Sequence, residues 1–240
     1  MAQTHWLSSA ATHCGAVRNM NEDAFLNRNN EGLWVVADGM GGHEAGEVAS
    51  EMITASLGRL DVNQPLSDVV DTIEDTLLEV HHKIRTYSRT HCEGRTMGST
   101  VVSFFVRENV GVCLWAGDSR LYRYRNQTLE QVSDDHSQVN EMLSRGMISE
   151  QEAQNHPASN VITRAVGASE TLYIDVTLVE LQSNDIYLLC SDGLYGAIDE
   201  TEIAGLLSGG DVEAATHLLI DRSLQAGARD NVTVIAVKVQ

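Results

Sequence analysis

Four aspartates stand at the ends of short apolar segments of this chain. Asp38, Asp118 and Asp192 each follow such a segment and lie next to a glycine, and Asp230 stands two residues before another. Short apolar runs closed by glycine predict buried strands rather than helices. A carboxylate at the end of a buried strand is costly unless it is neutralised. The pattern therefore predicts that the four side chains meet at one edge of a sheet and hold a hard cation such as Mg²⁺ or Mn²⁺.

A carboxylate shared by two cations would define a reaction. If Asp38 bridged two ions about 3.5–4 Å apart, a water between them would lose a proton near neutral pH and become a nucleophile. Such a pair suits in-line attack on phosphorus. Arg18, which lies just upstream, is the best candidate to hold two phosphate oxygens in a bidentate fork.

Each of these residues also has an ordinary structural interpretation. Asp38 could begin an Asp-Gly turn or cap the helix that follows. Arg18 could form a surface ion pair. Ser99 and Ser119 suggest a nucleophilic serine, but neither has the strand-turn-helix setting or an evident histidine partner, and we interpret both as turn and strand residues.

Composition narrows the classes of protein. The chain has 240 residues and a formal net charge of −18, from 34 acidic and 16 basic side chains. This charge disfavours nucleic acid and anionic membranes as partners, because both would be repelled. The N-terminus does not resemble a signal peptide and no apolar stretch is long enough to span a membrane, so we expect a cytoplasmic protein. The cysteines have no paired spacing and are expected to be reduced.

The elements that must position the site can be outlined from periodicity. Residues 6–29 predict two strands, and residues 45–60 and 66–87 predict helices with an apolar face. We expect the histidines of the second helix region, His81, His82 and His91, to be solvated. Strands over 99–106, 110–116, 120–125 and 128–132, joined by short turns, predict an antiparallel meander.

The second half begins with a different kind of segment. Residues 136–160 carry few apolar side chains, which predicts a small, mobile flap. His136, at its entrance, is expected to form a hinge hydrogen bond rather than to bind a metal. Strands over 172–178 and 185–190 and helices over 200–207 and 212–226 follow. The inward residues of the last helix are predicted to be Ala215, Leu218, Leu219 and Leu224.

Six motifs resemble those of the metal-dependent protein serine/threonine phosphatases, the PPM or type 2C family. Each is weak alone, but six in the family's order over nearly the whole chain are specific. They are Arg18-Asn19-Met20-Asn21-Glu22-Asp23, Asp38-Gly39-Met40-Gly41-Gly42, Gly98-Ser99-Thr100, Gly117-Asp118-Ser119-Arg120, Ser191-Asp192-Gly193 and Asp230-Asn231.

The resemblance implies an α+β fold. This is a four-layer α-β-β-α sandwich of two antiparallel sheets flanked by helices, in which residues 1–240 form a single catalytic domain and residues 136–160 the flap. It also implies two Mn²⁺ or Mg²⁺ ions, and a third in bacterial relatives. Carried over by motif, Asp38 bridges both ions, the Gly39 carbonyl binds the first ion, and Glu22 reaches that ion through water. Asp192 and Asp230 hold the second ion, and Asp118 with Asp192 holds the third. Arg18 binds the phosphate of the substrate.

The implied activity is hydrolysis of phosphoserine and phosphothreonine in proteins. The expected partners are phosphoprotein substrates and a cognate Ser/Thr kinase, and we expect a monomer. The alternatives are a catalytically silent phosphoprotein-binding module and a two-metal hydrolase of small phosphoesters or nucleic acid. Many eukaryotic members have a histidine where this chain has Met40, and methionine cannot protonate a leaving group. We expect a metal-bound water to do so, with His43 as the alternative acid.

Overall fold

The computed structural model describes residues 5–41, 45–92, 95–153, 156–158 and 161–240, and places two antiparallel sheets face to face. One has the strand order β1-β11-β10-β7-β8 and the other β2-β3-β5-β6-β9, with β4 paired to β3. The strands are β1 (Trp6–His13), β2 (Asp23–Arg28), β3 (Leu33–Gly41), β4 (Met97–Ser99), β5 (Val101–Arg107), β6 (Val110–Ala116), β7 (Arg120–Arg125), β8 (Thr128–Gln131), β9 (Asp175–Glu180), β10 (Ile186–Cys190) and β11 (Val232–Val239).

Helices cover the outer face of each sheet. The pair α1 (Ala45–Leu57) and α2 (Leu66–His91) packs on the β3 sheet, and α6 (Glu200–Leu207) and α7 (Val212–Gln225) pack on the β11 sheet. Shorter helices are α3 (Gln138–Ser144), α4 (Glu150–Ala153) and α5 (Asp192–Tyr195). The four-layer α-β-β-α sandwich expected from the resemblance is therefore confirmed.

The apolar runs are continuous because the central strands are covered on both faces. Along β3, Leu33, Val35 and Ala37 face the α1–α2 layer, whereas Trp34 and Val36 lie between the sheets. Strands buried on both faces do not show the alternation of apolar and polar residues that a half-buried strand shows.

Strand direction brings the aspartates to one edge. Both β3 and β6 are antiparallel to β5 between them, so they run in the same direction and end at the same edge. In the other sheet β10 ends where β11 begins. The hydroxyl of Ser191, just after β10, donates to Asp23 at the start of β2 at 2.7 Å, which joins the corresponding edges of the two sheets.

The predicted meander is wrong at its centre. Strands β5 and β6 pair, as do β7 and β8, but β6 pairs next with β9 and β7 with β10, in different sheets. The turn between β6 and β7 contains Gly117 at φ 124°, a conformation that glycine adopts readily. This turn carries the chain across the sandwich instead of closing a hairpin.

Three smaller predictions are corrected. The first helix ends at Leu57 rather than at residue 60, and β9 covers Asp175–Glu180 rather than 172–178. Leu218 is 46% exposed, and Thr216 is buried on α7 instead.

All four cysteines are free, as expected, and Cys113 and Cys190 are buried. No helix in the described parts of the chain is long and apolar enough to cross a membrane.

His81 is buried, which corrects the expectation of a solvated side chain. It is 1% exposed, whereas His82 and His91 are exposed as predicted. The backbone N–H of Gly167 donates to His81 Nδ1 at 2.9 Å, and burial lowers the pKa of the imidazole. The neutral ring therefore fastens α2 to the loop before β9.

The end of β3 touches α1 through two glycines. A Cβ on Gly39 would lie 2.1 Å from the carbonyl oxygen of Gly46 and 2.5 Å from that of Glu22. The Gly39 N–H donates to the same Glu22 oxygen at 3.0 Å. Only a residue without a side chain permits this approach, which sets the separation of Asp38, Glu22 and the start of α1.

Substitution of Gly39 is expected to destabilise the fold because the contacted atoms are backbone and cannot rotate away. Gly39→Ala should lower the free energy of unfolding in urea by about 1–3 kcal/mol, the usual cost of overpacking. Gly205→Ala, in α6, is the control. A Cβ at this position would meet nothing within 4 Å, so the substitution should raise the free energy of unfolding by about 0.5–1 kcal/mol. Equal stabilities of the two variants would contradict this account.

The buried His81 should make stability depend on pH. The folded state excludes a proton that the His81 imidazole of the unfolded chain binds near pH 6.5. The contribution of the neutral ring to the free energy of unfolding is therefore complete above that pH and is lost as the pH falls below it. The free energy of unfolding of the wild type should therefore fall more steeply from pH 7.5 to 5 than that of His81→Asn, by at most about 1.4 kcal/mol per pH unit. His82→Asn is the control and should follow the wild type. Parallel profiles for wild type and His81→Asn would refute the assignment.

Candidate active site

The carboxylate of Asp38 is buried among other acids at the edge where the strands converge. Burial raises the pKa of Asp38 well above its ordinary value, and the charges of Asp23, Asp192, Asp118 and Asp230 raise it further. These four neighbours come from four separate segments of the chain. Asp118, Asp192 and Asp230 therefore lie within electrostatic range of Asp38, and their shared binding of a cation remains a prediction.

Two other members of the cluster are perturbed in the same direction. Burial, with the charge of Asp192, raises the pKa of Asp118 to about 7. Burial, with the charge of Asp230, raises the pKa of Asp192 to about 6 although Arg18 opposes the shift. Like charges held together at low solvent exposure disfavour ionisation, and a cation between them would reverse the effect.

The backbone around Asp38 is fixed by a pair of hydroxyls. The N–H of Asp38 donates to Thr100 Oγ1 at 3.1 Å, and the N–H of Thr100 donates to the Asp38 carbonyl at 2.9 Å. Thr100 Oγ1 lies 2.6 Å from Ser119 Oγ in a second hydrogen bond. Ser99 and Ser119 are both buried and hydrogen-bonded, which agrees with their interpretation as structural residues. The two motifs around them thus hold Asp38 in place.

Asp23 is a site residue that the sequence reasoning missed. It pairs with Asp38 across β2 and β3, and its Oδ2 accepts hydrogen bonds from Ser191 and Thr233 at 2.7 and 2.6 Å. Its Oδ1 is buried with no partner among the described residues, and burial raises its pKa to about 7. The available signal was its place at the end of the Arg18 motif, at the entrance of the strand paired with β3.

Asn231 organises the loop that carries Glu22. Its Oδ1 accepts the Glu22 N–H at 2.8 Å, and its Nδ2 donates to the carbonyls of Cys14 and Met20 at 3.0 and 2.8 Å. Burial raises the pKa of Glu22, and its Oε1 lacks a partner among the described residues. The Asp230-Asn231 motif therefore combines a candidate ligand with a residue that positions the opposite loop.

Arg18 and Asp230 form an ion pair in this structure. Arg18 Nη2 lies 2.6 Å from Asp230 Oδ2, with the side chains 51% and 40% exposed. An exposed pair of this kind contributes about 0–1 kcal/mol. The bond is weak enough to exchange for a stronger charged partner, so Arg18 stands where it can either neutralise Asp230 or reach an anion in the cleft.

The donor set fits hard divalent cations. Glu22 Oε1 and Asp192 Oδ1 are buried carboxylate oxygens without hydrogen-bond partners among the described residues. Within those ranges no three His, Cys, Asp or Glu side chains are arranged to hold a metal ion, and Asp230 is paired with Arg18. Buried, unsatisfied carboxylate oxygens with raised pKa values are the environment in which Mg²⁺ or Mn²⁺ replaces protons.

The cluster opens into a cleft of about 1020 Å³. Asp118, Asp192, Asp230 and Arg18 line one part of it, which we name the cleft base, and the flap lines another part through Val139. His136 makes the predicted hydrogen bonds at the hinge. Its ring Nδ1 accepts the Gly117 N–H at 3.1 Å, and its backbone N–H donates to the Gly117 carbonyl at 2.9 Å. Mobility of the flap remains a prediction, and its predicted end at residue 160 lies outside the described residues.

Met40 contributes no proton at this edge. It pairs with Gly98, and a Cβ on Gly98 would lie 3.0 Å from Met40 Cε. The thioether therefore packs against β4. His43, the alternative acid, lies outside the described residues.

Comparison with known proteins identifies relatives over nearly the full length. The family model described as protein phosphatase 2C matches residues 12–220. The serine/threonine phosphatase stp of Listeria monocytogenes is 36% identical over 95% of this chain and 93% of its own. PppA, described as a key regulatory component of T6SS in Pseudomonas aeruginosa, is 40% identical with a TM-score of 0.91, covering 99% of both chains.

A third relative bears on the cations. The catalytic domain of the serine/threonine phosphatase PstP, solved in complex with two manganese ions, is 32% identical with a TM-score of 0.88, covering 98% of this chain and 99% of its own. The predicted family and enzyme class are confirmed. The chain belongs to the protein phosphatase 2C family of metal-dependent protein serine/threonine phosphatases.

Proposed function

We propose that this chain hydrolyses phosphoserine and phosphothreonine in proteins at the Asp38 cluster, with two divalent cations bound there. The observation that carries the proposal is the set of buried, mutually repelling carboxylates at the base of an open cleft, with Arg18 beside them. When bound, the cations would activate water as the nucleophile and neutralise charge on the phosphoryl group.

Each residue has a separate part in this proposal. Asp38 lies at the centre of the cluster and would bridge the two ions, with the Gly39 carbonyl on the first and Glu22 reaching it through water. Asp192 and Asp230 would hold the second ion. Asp118 would hold a third with Asp192, which is supported by the influence of Asp192 on its pKa.

Arg18 would bind the phosphate of the substrate. Its guanidinium is half exposed at the cleft and is held by Asp230 alone among described acids. A planar fork of two N–H groups matches two phosphate oxygens and would orient the phosphorus toward the cluster. Because one ion pair occupies both side chains, Arg18 would have to separate from Asp230 before either took its proposed role.

The shape and charge of the molecule favour phosphoproteins over the alternative substrates. The cleft is much larger than a phosphorylated side chain, so it has room for neighbouring residues of a peptide. The net charge of −18 would repel a nucleic acid. The cognate kinase, the cytoplasmic location, the monomeric state and the limits of the catalytic domain, residues 1–240, remain predictions from composition and resemblance.

Activity should depend on a hard cation. Turnover of a phosphothreonine peptide should require added Mn²⁺ or Mg²⁺ and disappear in excess chelator, because every proposed ligand is an oxygen. A nucleic-acid diester assayed beside it should not be cleaved, and binding of the phosphopeptide without turnover would instead indicate a silent module. Full activity in excess chelator would refute the proposed mechanism.

Ligation and phosphate binding should separate by mutation. Asp38→Asn removes a charge from the buried cluster, so without metal its Tm should rise, whereas Mn²⁺ should no longer stabilise it. Arg18→Ala should retain the stabilisation by Mn²⁺ and lose affinity for inorganic phosphate. Calorimetric titration with Mn²⁺, and then with phosphate, measures both. Retention of two ions by Asp38→Asn together with loss of metal by Arg18→Ala would reverse the assignment.

A further inference from the structure

The flap is joined to the rest of the cleft through a short segment, residues 134–137, which we name the flap root. Beyond it, Val139, Asn140 and Leu143 of α3 line the same cleft as Asp118, Asp192 and Asp230. The flap root therefore connects to a helix that forms part of the cleft wall. A peptide lying in the cleft would contact this wall on either side of its phosphorylated residue.

Asp135 provides the charged contact of the flap root. Its carboxylate accepts two parallel hydrogen bonds from Arg120, from Nε at 2.8 Å and from Nη2 at 2.7 Å, and a third from Gln131 at 2.9 Å. Its carbonyl accepts the Asn140 side-chain N–H at 2.9 Å, which extends the connection into α3. The Asp135 carboxylate thus adds a side-chain ion pair to the hydrogen bonds that Gly117 and Trp115 make with His136 and Asp134 of the flap root.

Arg120 also contacts the base of the cleft. Its guanidinium lies 3.6 Å from the centroid of the Tyr195 ring, and the Tyr195 hydroxyl donates to the carbonyl of Asp118 at 3.0 Å. Tyr195 is the last residue of α5, which Asp192 begins. One side chain therefore links the flap root to the two segments that carry Asp118 and Asp192.

The geometry of these contacts requires arginine. The Arg120 and Asp135 side chains are only 18% and 14% exposed, and the bidentate bond and the stacking on Tyr195 use the edge and the face of one planar group. A lysine ammonium could pair with Asp135 but could not form the fork or stack in the same way. Arg120→Lys therefore keeps the charge and removes the rigid orientation.

We propose that Arg120 is a positioning residue for substrate binding, which holds the flap root against the cleft base so that the α3 wall stands at a fixed distance from the phosphate site. The proposal rests on the phosphatase function proposed above. Arg120 acts through Asp135 and Tyr195 and takes no part in bond breaking. Its contribution should grow with the length of substrate that contacts the flap.

The same strand supplies a matched control. Arg125, at the other end of β7, forms an equivalent bidentate pair with buried Asp185, with N–O distances of 2.7 and 2.6 Å. Five residues of strand separate the two arginines by about 17 Å, and neither Arg125 nor Asp185 lines the cleft. A purely stabilising role would make Arg120→Lys and Arg125→Lys behave alike.

The experiment compares Arg120→Lys, Asp135→Asn, their double variant and Arg125→Lys in the full chain. Amide hydrogen exchange is measured at residues 138–144, together with Tm, kcat and KM on a phosphothreonine peptide and on a small aryl phosphate. Arg120→Lys and Asp135→Asn should each accelerate exchange in α3 at least fivefold. Each should also raise KM for the peptide at least fivefold more than KM for the aryl phosphate, and the double variant should add little.

Arg125→Lys should lower Tm without either effect. Unchanged α3 exchange in both Arg120→Lys and Asp135→Asn, or an equal KM change on the two substrates, would overturn the proposal. If Arg120→Lys fails to fold, Asp135→Asn alone decides between these results. Failure of the proposed function can be told apart from failure of this proposal. The wild type would then turn over neither substrate, while the exchange measurement would still test whether Arg120 and Asp135 hold the flap root.

Discussion

Several carboxylates buried within reach of one another are the constraint on which this structure depends. Asp23, Asp38, Asp118 and Asp192 all have raised pKa values, and for each the leading cause is burial. Folding must bring these groups together against their mutual repulsion, so the remainder of the sandwich has to supply the favourable free energy. Three apolar clusters, one under each helix layer and one between the sheets, provide it.

The polar residues around the site are used mainly to hold backbone in place. Thr100 and Ser119 fix the backbone at Asp38, and Asn231 ties three loop positions to the start of β11. Gly39 lets β3 and α1 approach more closely than any side chain would allow. Within the described ranges these contacts leave one buried carboxylate oxygen of Glu22 and one of Asp192 without a hydrogen-bond partner, which suits the proposed metal site.

The ion pairs of the site differ in what they can do. Arg18 and Asp230 form a single exposed contact, which suits the separate roles proposed for the two groups. Arg120 and Asp135 form a shielded bidentate contact reinforced by an aromatic ring, which suits a fixed joint between flap and cleft. Solvent exposure and the number of shared hydrogen bonds thus separate an exchangeable pair from a permanent one.

Errors in the sequence-based predictions have identifiable physical causes. His81 follows Leu77 by four residues and precedes Ile84 by three, so it lies on the buried stripe of α2, and the helical period already carried this information. Leu218 is one position off the stripe formed by Ala215 and Leu219. The turn before β7 has the length of a hairpin turn, but length does not tell whether the next strand pairs with its predecessor or crosses to another sheet.

The sequence by itself determined most strands, the main helices, the family and four members of the acidic cluster, Asp38, Asp118, Asp192 and Asp230. The apolar periodicity, the glycines that close the strands and the ordered motifs are local properties. Only the tertiary structure decided which strands pair, that Asp23 faces Asp38, that Arg18 rests on Asp230, and that Arg120 joins the flap to the cleft base. Those facts are contacts between residues separated by up to 212 positions in the chain. Such contacts depend on strand order and on the crossing of the chain between the sheets, and no local segment of the sequence specifies either of them.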